Sequence, residues 1–511
     1  MNSAQHSPAT RGRVLIPTLF FTLTLAVGAG GDSKPSTEAT PTEEAEVRPL
    51  RVSFEPTTFE TRDGRTVEAE MGTFSVVENR REHKERTIEL AMVRFKSTNP
   101  KPGFPIVYLA GGPGGSGTGT ARGSRFDLFM SMRQVADVIA FDQRGTGTSH
   151  TLPKCSRARD SPMDKPATRS EMEASFREVT RFCAQEWRAK GVDLNAYNTE
   201  ESADDLEDLR RALGVEKLHL WSISYGSHLA MAALRRHPES FERVILAGPE
   251  GPDHTVKLPS DSQRLLEAID ARIRQSEEFR TLFPDFLGDV RRVLERLEKQ
   301  PAKIDLPGGK EMWVGKFDVQ LLAAGALGSP EYQAFLPLAF QAMAAGEFGP
   351  VAEYLVGNRQ GEVWAMSAAM DAASGISKER QKRVRKEART TLLSDAINFP
   401  WEPLREGIEV RDLGPAFRSP LTTKVPTLII TGSLDGRTPV GNAKDLLPGF
   451  RNGIHLDIEG AGHSDPLFLS HPEIEETLIA FLQGKPLAKH IQLTVEVPPL
   501  MVMPTSPPDG S

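Results

Sequence analysis

Two kinds of hydrophobic pattern alternate along this chain. Short, almost wholly apolar runs occur at Phe104–Leu109, Val135–Phe141, Leu218–Ile223, Arg243–Ala247 and Pro426–Thr431. They are too short for helices and too apolar for a sheet with one wet face, so they predict strands buried on both sides. Between them, Ala203, Leu206, Leu209 and Leu213 form one helical stripe. Ser202 and Asp205 offer a capping box at its start, and Gly214 offers a stop. Strand and helix in this rhythm predict a mostly parallel sheet clothed by helices. Ahead of it, Thr66–Phe74 and Arg86–Phe95 flank the polar stretch Glu78–Glu85 and predict an antiparallel pair at the sheet edge. A last strand is expected at Ile454–Ile458 and a closing helix at Glu473–Leu482.

The rhythm breaks from about Leu258 to about Gly414. Segments such as Ser260–Ser276, Phe286–Glu298 and Phe317–Ala324 have helical period, and no series of buried strands interrupts them. An insert of this kind between two sheet strands can cap the C-terminal edge, where open α/β sheets bind ligands. The expected division is therefore 48–257 and 415–490 for the two parts of an α/β core, 258–414 for a mainly helical cap, and 491–511 for a tail. From Pro498 onward that tail is Pro-rich and is expected to be loosely held.

The first residues belong to none of these. Arg11 and Arg13 precede the apolar stretch Val14–Val27, and small residues follow through Ala29. This predicts a signal peptide over 1–29 and a secreted or periplasmic protein, with an uncleaved anchor as the alternative. Residues 30–47, rich in Gly, Ser, Thr, Pro and Glu, are expected to be a disordered leader. Cleavage removes two arginines and no acids from a chain whose formal charge is already -7, which disfavours nucleic acid as a partner. No later stretch suggests stable membrane insertion. The two cysteines, Cys155 and Cys183, can close one disulfide in an exported chain, or remain two buried thiols. Neither belongs to a CxxC pair and the histidines lie apart, so neither a metal site nor any other cofactor is expected. Nothing in the sequence sets an oligomeric state.

The chemistry concentrates at strand ends. Ile223-Ser224-Tyr225-Gly226 joins an apolar strand directly to a helical pattern, which puts Ser224 on a sharp bend above the sheet and aims the first helical N–H groups at whatever it attacks. Glycine normally stands two residues earlier; here it is Ser222. The run Gly111–Gly117 lacks the Gly-Lys-Ser/Thr ending of a phosphate cradle and follows a buried strand. Its best use is to present an N–H to a developing oxyanion, with a plain flexible turn as the alternative. Asp142 and Arg144 at the next strand end are expected to scaffold the loop beside the nucleophile. Asp435 and His463 each follow a later strand, in the chain order nucleophile, acid, histidine. His463 can take the hydroxyl proton, and Asp435 can hold its tautomer and stabilise the imidazolium.

With these motifs in hand, the chain resembles secreted α/β-hydrolases of the proline iminopeptidase and tripeptidyl aminopeptidase family. The resemblance rests on GGPGGSG at Gly111–Gly117, DQRGTG at Asp142–Gly147, ISYGS at Ile223–Ser227, GSLDGRTP at Gly432–Pro439 and GAGH at Gly460–His463. It implies an α/β-hydrolase fold, a Ser224–Asp435–His463 triad and oxyanion donors at Tyr225 and at Gly112 or its neighbour. It also implies a peptide or other acyl substrate, whose free amine is read by acids in the insert. Asp371 is the nearest match for that role and Glu250 the second. The cysteine pair falls where secreted members carry cysteines. Three features depart from the family: Ser222, Met71 where many relatives have cysteine, and an insert without further cysteines. Peptidase activity is the leading expectation, with a carboxylesterase, amidase or lactonase using the same triad as the alternative, and an inactive binding protein more remote.

Overall fold

A computed structural model describes residues 50–306 and 308–502. The segments expected to be signal peptide and leader lie outside the described residues.

The first three strands, β1 (Ser53–Glu60), β2 (Thr66–Asn79) and β3 (His83–Phe95), form an antiparallel meander. β2 and β3 extend into the polar stretch expected to separate them, so it closes as a tight hairpin. β1 was not expected; its burial alternates weakly because it is the outermost strand of the sheet. β4 (Ile106–Leu109) and β5 (Val138–Phe141) are buried at every residue. A short β6 (Arg159–Asp160) precedes β7 (Leu218–Ser224) and β8 (Phe241–Pro249). In the insert come a hairpin, β9 (Ala302–Leu306) and β10 (Lys310–Val314), and the short β11 (Gln360–Gly361), which pairs with β6. β12 (Thr427–Gly432), β13 (Gly453–Glu459) and β14 (His490–Thr494) complete the main sheet.

Its order is β1-β2-β3-β5-β4-β7-β8-β12-β13-β14. From β5 to β14 every pairing is parallel. Parallel pairing needs a crossover between strands, and the helices that supply it cover both faces. On one face Tyr108, Phe129, Trp221 and Phe468 make a connected aromatic cluster with ring centroids 4.7–5.7 Å apart. On the other, Leu206 and Leu209 of the helix Thr199–Leu213 pack with Leu229 and Met231 of the helix Tyr225–Arg236.

The start of helix Thr199–Leu213 corrects one expectation. Its cap is Asn198, whose side chain accepts from the N–H groups of Glu200 and Glu201; Ser202 lies one turn inside. Asn is as good a cap as Ser, and the choice between them depended on where the preceding chain turns. Gly214 does end the helix, at φ 69°.

The insert has an apolar core of its own, built from residues such as Leu266, Phe286, Val293, Phe335 and Phe340. It is mainly helical, with the β9–β10 hairpin as the exception.

The C-terminal segment is a second correction. Strand β13 is not the last: β14 pairs beside it in parallel. Beyond β14 the chain is held. Val495 N–H donates to Glu459 O, Met501 N–H donates to Ala334 O, and Arg272 grips Pro498 O. Leu500 is buried in the insert's core. A Pro-rich composition removes donors but does not prevent a segment from being pinned by one leucine and a few carbonyls. Among the described residues, no helix is long and apolar enough to cross a membrane.

Because Leu500 fills space between insert helices, Leu500→Ala is expected to cost about 2–3 kcal/mol through lost burial and the cavity it leaves. A lowered denaturation midpoint at unchanged slope checks this, and an unchanged midpoint contradicts it.

Candidate active site

The parallel register brings the loops after β4, β5, β7, β8, β12 and β13 to one edge of the sheet. β7 reaches that edge between β4 and β8 and ends at Ser224, which takes φ 55° and ψ −127°. A side-chain-bearing residue rarely accepts positive φ, so the surroundings must impose it. Three contacts do so. Gly226 passes so close to β4 that a Cβ there would stand 2.2 Å from Leu109 O. Ser227 Oγ donates to Ser224 O at 2.5 Å and itself accepts from Glu250 N–H. Ser222, which replaces the usual glycine, turns its hydroxyl across to Ile245 O of β8 at 2.6 Å, so its polarity is satisfied.

The glycine loop lies directly against this bend. A Cβ on Gly111 would come within 2.9 Å of Ser224 Cβ. Gly112 follows at φ +124°, a conformation that side-chain-bearing residues avoid. Its N–H and that of Tyr225, first residue of the helix, are the expected oxyanion donors. The loop is anchored by Asp142, which is fully buried. Its carboxylate accepts from Ser116 Oγ, Thr118 N–H and Oγ1, and Thr148 N–H and Oγ1. Arg144, also buried, is paired side-on with Asp205 at 2.7 Å and caps carbonyls of Glu78 and Ala196. Both residues therefore sit as scaffolding.

Asp435 is buried in the loop after β12, and His463 follows β13. Asp435 Oδ2 lies 2.8 Å from His463 Nδ1. Asp435 also accepts from the N–H groups of Arg437 and Thr438 and from Thr438 Oγ1. Burial alone would raise its pKa, but His463 beside it and the Thr438 hydrogen bonds hold it below the ordinary carboxylate value. A carboxylate facing Nδ1 keeps the proton there and leaves Nε2 as the basic nitrogen. Gly248 at the end of β8 ties the two halves of the site together: a Cβ on it would meet Thr438 Oγ1 at 2.6 Å and Asp435 Oδ2 at 3.3 Å. No hydrogen bond joins Ser224 Oγ to His463 among the described residues. In unliganded enzymes such bonds often tighten only when substrate arrives.

Two supports went unread in the sequence. Thr438 stands 3.1 Å from His463 Nδ1 as well as bonding Asp435; its place three residues after the acid was the available signal. Arg125 holds the histidine loop from the other side, bonding Asp465, Ser464 Oγ and Tyr108 OH. Nothing local marks it, since the loop residues it holds, Ser464 and Asp465, lie hundreds of residues away.

Asp371 and Glu250 come together near Tyr225. Glu250 is buried and bonded to Lys257 at 2.7 Å. Burial pushes its pKa up, but Lys257, with His228 and Arg437, brings it below the ordinary value. Asp371, on the helix Ala365–Ser374, is half-buried, and its carboxylate has no hydrogen-bond or ion-pair partner among the described residues. Burial and the Glu250 charge raise its pKa to about 7. Cys155 and Cys183 are joined as a disulfide with Cα atoms 5.3 Å apart.

Asp435→Asn leaves the ring with the wrong tautomer and is expected to lower kcat by about 10³–10⁴. Thr438→Val keeps the acid and loses one charge-assisted bond, so about tenfold is expected. Steady-state turnover of an activated ester measures both, and equal losses would contradict the division of roles.

Comparison with known proteins agrees with this architecture. Residues 105–300 match a family described as alpha/beta hydrolase fold. Over 210 residues the chain is 28% identical to serine protease Hip1 of Mycobacterium tuberculosis, covering 39% of this chain and 37% of that protein. It is 29% identical over 176 residues to the tripeptidyl aminopeptidase of Streptomyces coelicolor, covering 32% and 31%. To the proline iminopeptidase of Heyndrickxia coagulans it is 25% identical over 215 residues, covering 40% and 57%. The chain thus matches only about a third to just over half of each relative's length. A mostly parallel sheet, a bent strand-to-helix junction under an inserted helical cap, and the family match over residues 105–300 together show the α/β-hydrolase fold, in a chain similar at low identity to proteins named as peptidases.

Proposed function

We propose that this protein is an exported serine hydrolase, secreted or periplasmic, that releases N-terminal residues or short peptides through an acyl-enzyme. The placement of Ser224, Asp435 and His463 supports the following roles. Ser224 attacks the carbonyl as His463 Nε2 takes its proton, and Asp435 stabilises the imidazolium that results. The N–H groups of Tyr225 and Gly112 hold the charge that develops on the carbonyl oxygen. His463 returns the proton to the leaving amine, and water then repeats the sequence on the acyl-enzyme.

The observation that favours an aminopeptidase over a simple esterase is the Asp371 carboxylate. It is unpaired although Lys257 and Arg437 are close enough to influence it, and it lies beside a second carboxylate near the nucleophile. An α-ammonium placed there meets two carboxylates, one half-buried and one buried, where attraction is less screened than at an open surface. Glu250 already has its cation in Lys257, which leaves Asp371 as the group that lacks one.

Three outcomes are expected. Ser224→Ala removes nearly all turnover, at least about 10⁴-fold, together with labelling by a fluorophosphonate; labelling that persists at another serine refutes the nucleophile. Peptides with a free amine are cleaved about 30- to 150-fold better than their acetylated forms, and Asp371→Asn erases most of that advantage while ester hydrolysis continues. Equal cleavage of the two forms by native enzyme replaces the aminopeptidase reading with an esterase or amidase. The third concerns pH. With its pKa near 7, Asp371 in the free enzyme is neutral below that value and charged above it. The advantage of free-amine peptides in kcat/KM should therefore shrink as pH falls through about 7, and a ratio that stays constant from pH 8 to 6 contradicts it.

A further inference from the structure

A cavity lies between the cap and the loops that carry Arg159 and Arg437, and neither Ser224 nor His463 lines it. It measures about 230 Å³. Phe176, Phe399, Leu321 and Ile397 supply apolar wall, and Arg159 and Arg437 supply its charge. No acidic residue lines it. Arg159 is 3% exposed, a depth at which arginine is normally found only with a carboxylate partner. It has none. Its terminal nitrogens donate to Ser161 Oγ and to the carbonyls of Asn358, Arg359 and Gln360, its Nε–H has no acceptor, and its guanidinium lies 4.4 Å from the centre of the Phe176 ring.

The neighbouring charges do not neutralise it. Arg359, the next cation, is spoken for by the buried Asp318 at 2.7 Å. Asp160 is exposed and makes no ion pair with Arg159. Burial and Arg359 lower the Arg159 pKa to about 10, which still leaves it charged near neutral pH. Arg437, at the other part of the wall, also has no ion-pair partner among the described residues and keeps an exposed side chain. It stands two residues after Asp435, and its own N–H donates to that carboxylate at 2.8 Å. Arg437 also acts on Asp371 and Glu250, lowering both their pKa values. One part of the cavity wall therefore belongs to the loop of the catalytic acid, and the same arginine is close enough to Asp371 and Glu250 to act on both.

We infer that this cavity is a subsite for the free C-terminal carboxylate of a short peptide substrate, with Arg159 and Arg437 as its positive groups and the phenylalanines as the seat of the last side chain. The inference rests on the aminopeptidase reading and extends it: with acids reading the amine and arginines reading the carboxylate, the enzyme selects oligopeptides short enough to engage both ends. Arg437, whose side chain is exposed, can bind a carboxylate through directed, charge-assisted hydrogen bonds, while Arg159, its terminal N–H groups taken by Ser161 and the carbonyls, contributes an uncancelled positive charge; an uncharged amide gains from neither as a carboxylate does.

The test compares Ala-Ala-Phe-Ala as free acid and as C-terminal amide, both with a free amine, in native enzyme and in Arg159→Gln and Arg437→Gln variants. Native enzyme is expected to prefer the acid about tenfold or more in kcat/KM, and each substitution should bring the ratio toward one. The readout is a ratio within one protein, so a reduced folded fraction cancels. Arg437→Gln changes an exposed side chain and carries the test if Arg159→Gln does not fold. Benzoate, a free carboxylate without a peptide, should erode the acid's advantage if it reaches the same groups. Equal cleavage of acid and amide by native enzyme overturns the subsite, as does a native preference that survives Arg437→Gln. The N-acetylated acid is run alongside. Loss of discrimination at the amine with a retained acid preference defeats the aminopeptidase reading but keeps the carboxylate site, and the reverse pattern does the opposite.

Discussion

A serine held at positive φ, at the end of a strand buried between two parallel neighbours, is the constraint on which the rest of the site depends. The conformation is unfavourable for Ser224 on its own and persists because the frame leaves no alternative. β4 presses on Gly226, β8 accepts the Ser222 hydroxyl, and Ser227 ties the bend to Glu250. Those contacts come from strands on both sides, so the bend can exist only after the sheet has assembled. Strain at this position is consistent with a side chain that must stand clear of both the strand and the helix.

Buried charge is handled in two ways in this molecule, and the difference separates scaffold from site. Asp142, Arg144, Asp318 and Arg359 are fully buried and fully answered, each by an opposite charge or by a set of directed donors or acceptors. Burial of an ion is tolerated on those terms. Among the described residues, Asp371 and Arg159 differ: Asp371 is a carboxylate without a cation or donor, and Arg159 is a guanidinium whose terminal N–H groups meet only neutral acceptors and no anion. Asp435 falls between the classes, since its partners His463 and Thr438 both stand at the reacting edge.

The cap adds more than cover. It carries Asp371 and most of the arginine cavity's wall, and it holds the segment after β14 through Ala334 and Arg272. The Arg159–Arg359 region joins the loop after β5 to the insert through the β6–β11 pairing. The cavity is therefore walled by both parts of the chain, whereas the candidate triad belongs to the core alone.

How much of this was legible follows from the range of the interactions. Period and punctuation are local, so the buried strands, the helix stop at Gly214 and the mainly helical insert could be read directly from residue order. The candidate triad was legible for a related reason: each member follows its own apolar run, and parallel strands necessarily deliver such positions to one edge. Ser202 was misread as a cap because several polar residues near a helix start compete, and the turn at Asn198 decides between them. β1 and β14 escaped notice because edge strands are half exposed and carry no unbroken apolar run. The pinning of Leu500 in the insert, the grip of Arg125 on the histidine loop and the convergence of Arg159 with Arg437 were invisible for a deeper reason. Each joins residues far apart in the chain, and nothing in the local order of residues encodes which distant surface a side chain will meet. Residue order thus sets the chemistry available and the edge of the sheet to which it is delivered. Only the tertiary structure decided which charges find partners and which are left waiting for one, because pairing depends on distances that packing alone sets.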